Sequence, residues 1–204
     1  MPLHIKLLSL ILAVLVNFSW AEVTPTLNSD AIEATFGSYG VEVISQSEST
    51  RVANLYSLSG DAKICRTLAV TEFVLPMDPA LIEAHRLIRA GASIGATLRS
   101  ASFTINKKLL IKTETAAGDE FVSLTHGSVQ LGAPLYTKVY ALFAQQDGRQ
   151  IPYAVIAEAY HPKHFPPAHE EFSKEPSLKQ AADRALMALR ATIDQRHIKR
   201  SPAA

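Results

Sequence analysis

The ten residues from Ile151 to Tyr160 constrain this fold more than any other stretch. They read IPYAVIAEAY, apolar at both parities of a strand: Ile151, Tyr153, Val155 and Ala157 on one side, Ala154, Ile156 and Tyr160 on the other. A strand apolar on both sides needs both faces of its sheet covered. Tyr136 to Gln145 precedes it, and Asp147-Gly148 between the two runs is a two-residue hairpin turn signal. The chain is therefore expected to fold around this hairpin.

The other elements are placed by the same rules. Gly40 to Ile44 and Val52 to Leu58 are β-branched and aromatic, separated by the polar run QSEST, and Ser59-Gly60-Asp61 turns into a third strand from Lys63 to Leu75. Connections this short force antiparallel pairing. Asp78-Pro79 is a helix start, with Leu81, His85 and Ile88 on one face and Gly91 at the end. A short helix from Ile94 to Ser100 follows.

Phe103 to Thr115 reads as a half-exposed strand with Ile105, Leu109 and Ile111 on one face, and Phe121 to Thr125 as a weaker strand. Ser177 to Gln195 carries the stripe Leu178, Ala182, Leu186, Leu189 and Ile193 of an amphipathic helix. An echo links the halves of the chain: from Ile64 onward, matches such as Val70 with Ala157, Phe73 with Tyr160, Pro79 with Pro166 and Glu83 with Glu170 keep a constant offset of 87 residues. The expected fold is α+β, an antiparallel sheet of about six to seven strands in two meander-plus-helix halves, with the helices on one face. That leaves a second apolar face to be closed by sheet curvature, a dimer mate or a bound apolar ligand.

The first residues bear on location. Lys6 precedes the apolar run Leu7 to Val16, which is too short to span a bilayer as a helix, and Ser19-Trp20-Ala21 fits a signal-peptidase site. The expected organisation is a signal peptide at 1–21, one globular domain at 22–195 and a flexible tail at 196–204. Removing Lys6 from 20 Lys+Arg and 19 Asp+Glu leaves a net charge of zero, which offers nucleic acid no electrostatic footprint. The lone Cys65, in a strand-like run, is expected to be a buried core side chain.

Candidate chemistry is sparse. The segment from His161 to Glu171 holds three imidazoles, and His161, His164, His169 and Glu170 form a nitrogen and oxygen donor set of the kind zinc prefers. Its spacing matches no metal motif. Arg66 shares a strand parity with Ile64, Leu68 and Val70, and His85 lies on its helix's apolar stripe, so both are candidate ligand contacts. Gly91 to Gly95 matches the G-x-S-x-G string around Ser93, but a helix precedes it where a nucleophile elbow needs a strand.

No Walker loop, Rossmann fingerprint or zinc-finger spacing occurs. These residues point to an exported, non-catalytic module of the cell envelope, periplasmic in a Gram-negative source, that binds an apolar or amphiphilic small molecule or a partner protein without a cofactor. Two alternatives stand beside it. One is a metal-dependent enzyme built on the 161–171 loop; the other is an assembly protein acting as a homodimer.

Overall fold

The computed structural model describes residues 27–166, 171–173 and 176–195. The leader at 1–21, the tail at 196–204, and His169 and Glu170 lie outside the described residues. Helix α1 (Asn28–Phe36) is followed by β1 (Gly40–Gln46), β2 (Thr50–Ser59) and β3 (Ala62–Phe73), then by α2 (Ile82–Arg89) and α3 (Ile94–Ser100). The second half runs β4 (Thr104–Ala116), α4 (Asp119–Leu124), β5 (Pro134–Gln146), β6 (Arg149–Tyr160), β7 (Glu171–Phe172) and α5 (Lys179–Asp194).

The fold is α+β. Six antiparallel strands form one sheet in the order β1-β2-β3-β6-β5-β4, and two-residue β7 adds a short parallel pairing to β4. The β5–β6 turn uses Asp147 and Gly148 with φ of 51° and 76°, the left-handed pair that a two-residue hairpin demands. Asp78 opens the turn before α2, where its Oδ1 accepts from the Ala80 N–H at 3.0 Å.

The two meanders repeat each other in register. A shift of 87 residues turns the β2–β3 pair Arg51↔Thr71 into the β5–β6 pair Lys138↔Glu158, and Ala53↔Ala69 into Tyr140↔Ile156. The bulge between Leu55 and Tyr56 recurs between Leu142 and Phe143, which is the same place under that shift. The β1 bulge at Ile44 and the β4 bulge at Leu110 fall at the same step of the ladder, just after the pairs Val43↔Ala53 and Leu109↔Tyr140. Val70, opposite Ala157 on the central β3–β6 pairing, marks the pseudo-two-fold axis.

The symmetry stops at the helices, and here the structure departs from the expected single helical layer. Leu81, Ala84, Ile88 and Leu98 pack with Ala69, Tyr140, Leu142 and Ile156 on one face. Phe121, Ala185, Leu189 and Ile193 pack with Leu68, Val70, Val155 and Ala157 on the other. A true dyad normal to the sheet would put α2 and α5 on the same side. Instead α1 to α3 cover one face and α4 and α5 the other, so the second face needs no dimer mate or ligand to close it.

Two local readings also differ. The Phe121 to Leu124 part of that run lies in helix α4 and Thr125 caps it, because Asp119 and Glu120, after Gly118, place acids in a helix's first turn. The Leu110 bulge splits the expected apolar face of β4, leaving Ile105 with one core and Ile111 with the other.

A cavity between the sheet and the first helices

The face covered by α1 to α3 is not fully packed. A cavity of about 70 Å³ remains between the sheet and the N-terminal ends of α1 and α3. A single water needs about 10–15 Å³ of such space, so several waters or one compact molecule fit. Its floor is mostly apolar, with Ala53, Leu55, Ala69, Tyr140, Leu142 and Ile156. Leu27 and Ile94 line it from the helices, and Leu27 approaches Gly95 so closely that a Cβ there would lie 3.0 Å from its Cδ1.

Two charged side chains are buried in this apolar wall, Arg51 at 2% exposure and Glu158 at 4%. Arg51 extends from β2 to the C-terminal end of α2. Its Nη1 donates to the carbonyls of Ile88 at 3.1 Å and Ala92 at 2.9 Å. The Ile88 carbonyl also accepts the Gly91 N–H at 3.0 Å, so at this helix end the guanidinium is an additional donor. Its Nε has no hydrogen-bond partner, and no carboxylate among the described residues forms an ion pair with it. Burial lowers the guanidinium's pKa, with neighbouring Arg89 adding to the effect; a guanidinium nevertheless stays charged at neutral pH.

Glu158 is held from the other side. Tyr160 donates its hydroxyl to the carboxylate, and Asn28 Nδ2 lies 3.5 Å from Oε1 and 3.1 Å from Thr67 Oγ1. Arg51 and Glu158 belong to strands two apart and to adjacent same-face rows of the register. At the usual strand spacing and rise that separates their Cα atoms by about 12 Å. The cavity is therefore polar at both ends and apolar between. Tyr39, whose hydroxyl meets Ser93 Oγ at 3.1 Å, adds to the polar lining together with Asn28, Ser29, Thr71 and Lys107.

The sequence-derived candidates lie elsewhere. Arg66 sits at the β3 bulge, with its guanidinium 3.8 Å from the centroid of the Phe36 ring and its Nε donating to Ser57 Oγ at 2.8 Å. His85 shares a 3.1 Å hydrogen bond with the Tyr153 hydroxyl and meets Phe73 edge-on at 4.7 Å. Neither residue lines the cavity.

His161 and His164 come close together, but their ring nitrogens are largely engaged. His161 Nδ1 accepts from the Lys163 N–H at 3.0 Å and its Nε2 meets Ser128 Oγ at 3.2 Å. His164 Nε2–H donates to Asn28 Oδ1 at 2.7 Å, which leaves its buried Nδ1 unpartnered. Burial holds both imidazoles at a pKa of about 4, with Arg66 adding to the effect. Among the described residues no group of three or more His, Cys, Asp or Glu side chains is placed to hold a metal ion. Ser93 follows α2 and precedes α3, so no strand feeds it.

Arg51 and Glu158 were missed by sequence reasoning, although each left a signal. Glu158 is the lone charge in the doubly apolar strand. Arg51 shares a parity with Ala53 and Leu55, one residue before the expected start of its strand.

No family model and no curated protein matches this chain. Three solved structures are similar at low level. A protein described as a regulator from Escherichia coli CFT073 has a TM-score of 0.40 at 12% identity, covering 62% of this chain and 98% of that one. A transcriptional regulator of the GntR family from Enterococcus faecalis V583 gives 0.36 at 13%, covering 66% and 96%. The ligand-binding domain of a protein described as a GntR-family transcriptional regulator, from Bordetella bronchiseptica, gives 0.38 at 14%, covering 66% and 91%. Likeness at this level carries no argument about what this chain does.

Proposed function

We propose that this protein is a small-molecule binding module, and that its site is the cavity between the sheet and helices α1 and α3. The observation that carries this reading is the pair Arg51 and Glu158, two buried charges of opposite sign on the floor of one mostly apolar cavity. Buried charge is costly unless compensated. A ligand with an anionic group toward Arg51, a compact apolar body and a hydroxyl or amine donor toward Glu158 matches that lining.

The test is a ¹⁵N NMR titration of the purified chain with benzoate as a minimal probe. Amide shifts centred on Arg51, Leu142 and Glu158 are expected at millimolar probe. Ala53→Leu, which fills the floor, should abolish them. A titration that moves no cavity resonance, or one indifferent to Ala53→Leu, refutes the reading.

The leader-like residues 1–21 support a second part of the proposal, that the protein works outside the cytoplasm. Intact mass of protein from its native host should correspond to a chain starting at Glu22. A chain that still begins at Met1 counts against export.

A further inference from the structure

We propose that the group held at the Arg51 end of the cavity is a carboxylate, taken side-on by Arg51 Nε and Nη2, so that the ligand class is small monocarboxylic acids and not phosphate or sulfate esters. This assignment rests on the cavity being the ligand site, and it specifies the chemistry of the charged end.

Most of the guanidinium's hydrogens are already engaged. Nη1 donates to the Ile88 and Ala92 carbonyls, which uses both of its hydrogens, and Nη2 makes a longer 3.4 Å bond to the Gly91 carbonyl. All of these carbonyls belong to the end of α2 and the turn after it. The Nε–H and the second Nη2 hydrogen are left. They point in parallel from one edge of the planar group, and that edge matches the two oxygens of a carboxylate. Arg51 lines the cavity at 2% exposure, and its buried Nε has no partner. A donor shut away from water and unpaired is unfavourable, and an oxygen of the occupant removes that cost.

The protein uses the same edge of arginine elsewhere. Arg184 Nε and Nη2 each meet an oxygen of Glu72 at 3.0 Å, and Arg86 meets the two oxygens of Glu83 at 3.0 and 2.7 Å through the same atoms. Those forks are on the surface and carry their carboxylates. The buried fork of Arg51 is answered by no carboxylate among the described residues. The carbonyls on Nη1 are dipoles without net charge. The hydroxyls of Tyr39 and Tyr153, which interact with the guanidinium, stay neutral because burial pushes both pKa values up.

The surrounding floor limits the head to two oxygens and one charge. Thr71, directly opposite Arg51 in the β2–β3 ladder, offers a neutral hydroxyl, and the next row on that face, Ala53↔Ala69, is small and apolar. The other cation of the lining, Lys107, is on β4, four strands away. A carboxylate spends both oxygens on the fork and turns its carbon body toward the alanine row. A phosphate or sulfonate head would push a third oxygen onto apolar surface, where an unmet acceptor is costly.

The test is a ¹⁵N NMR titration of the purified full chain with benzoate, benzamide and benzenesulfonate, which share a ring and differ in the head. The Arg51 Nε–H signal, assigned through its own side-chain carbons, should move downfield with benzoate, as a charge-assisted bond requires, and far less with the other two. Benzoate should also bind about tenfold tighter than either. Cavity amides that respond to all three alike, or an Nε–H signal that benzoate leaves in place while Leu142 and Ile156 shift, would overturn the carboxylate assignment and leave the cavity reading standing. If none of the probes moves a cavity resonance, both fall together.

Discussion

Asn28 and His164, 136 residues apart in the chain, are joined by a 2.7 Å hydrogen bond. It ties the first turn of α1, above the cavity, to the segment that follows β6. Because Asn28 spends its amide hydrogens on Thr67 and Glu158, its carbonyl oxygen needs a donor, and neutral His164 supplies one through Nε2.

That arrangement gives stability a pH dependence of definite sign. His161 and His164 are depressed from 6.5 to about 4 in the folded protein, first by burial. The unfolded chain therefore takes up protons first as pH falls. Their contribution is fully present above about 6.5 and is lost progressively down to about 4. At pH 5 the loss should be on the order of 1–2 kcal/mol for each imidazole. Urea midpoints at pH 7 and pH 5 measure it, and a His161→Gln/His164→Gln variant should show a smaller drop between the two.

Arg51 has a structural task whatever the cavity binds. Arg51→Met would leave the carbonyls of Ile88 and Ala92 without their guanidinium donor. A loss of about 2–4 kcal/mol in urea unfolding is expected. Arg66→Ala, which removes only a stack on Phe36 and one bond to Ser57, should cost about 1 kcal/mol.

Cys65 is fully buried against the α5 side of the sheet, and burial pushes its thiol pKa up. It should be inert to thiol reagents in the native state and react at the rate of unfolding. Ellman's reagent tests this directly: rapid modification of folded protein would contradict the buried placement.

Gly118 marks where α4 meets the end of α5. A Cβ there would lie 2.4 Å from the Ile193 carbonyl oxygen, and backbone cannot step aside as a side chain can. Gly118→Ala should therefore destabilise by about 2 kcal/mol, seen as a lower melting temperature. Gly148→Ala also costs stability, but through its φ of 76° in open space.

The local devices of this fold were legible because short-range rules govern them. Asp147-Gly148 specified a hairpin, Asp78-Pro79 a helix start, and Ile94 to Ser100 a helix, each from neighbouring residues alone. Helix α1 is hidden in the sequence because its apolar residues, Ala31, Ile32, Ala34 and Phe36, are few and mostly small within a polar segment, and Phe121 to Thr125, with four apolar or β-branched residues in five, is too short a run to show a decisive period.

By itself the sequence determined an antiparallel sheet whose central strand must be covered on both sides, since parity and turn chemistry are written residue by residue. Tertiary structure alone decided which helices cover which face. That choice depends on the path of α2 and α5 around the sheet, which no local pattern encodes. It also decided the site. Arg51 and Glu158 are far apart in the chain, and only the β3–β6 pairing, by joining the two halves edge to edge, brings them onto one floor.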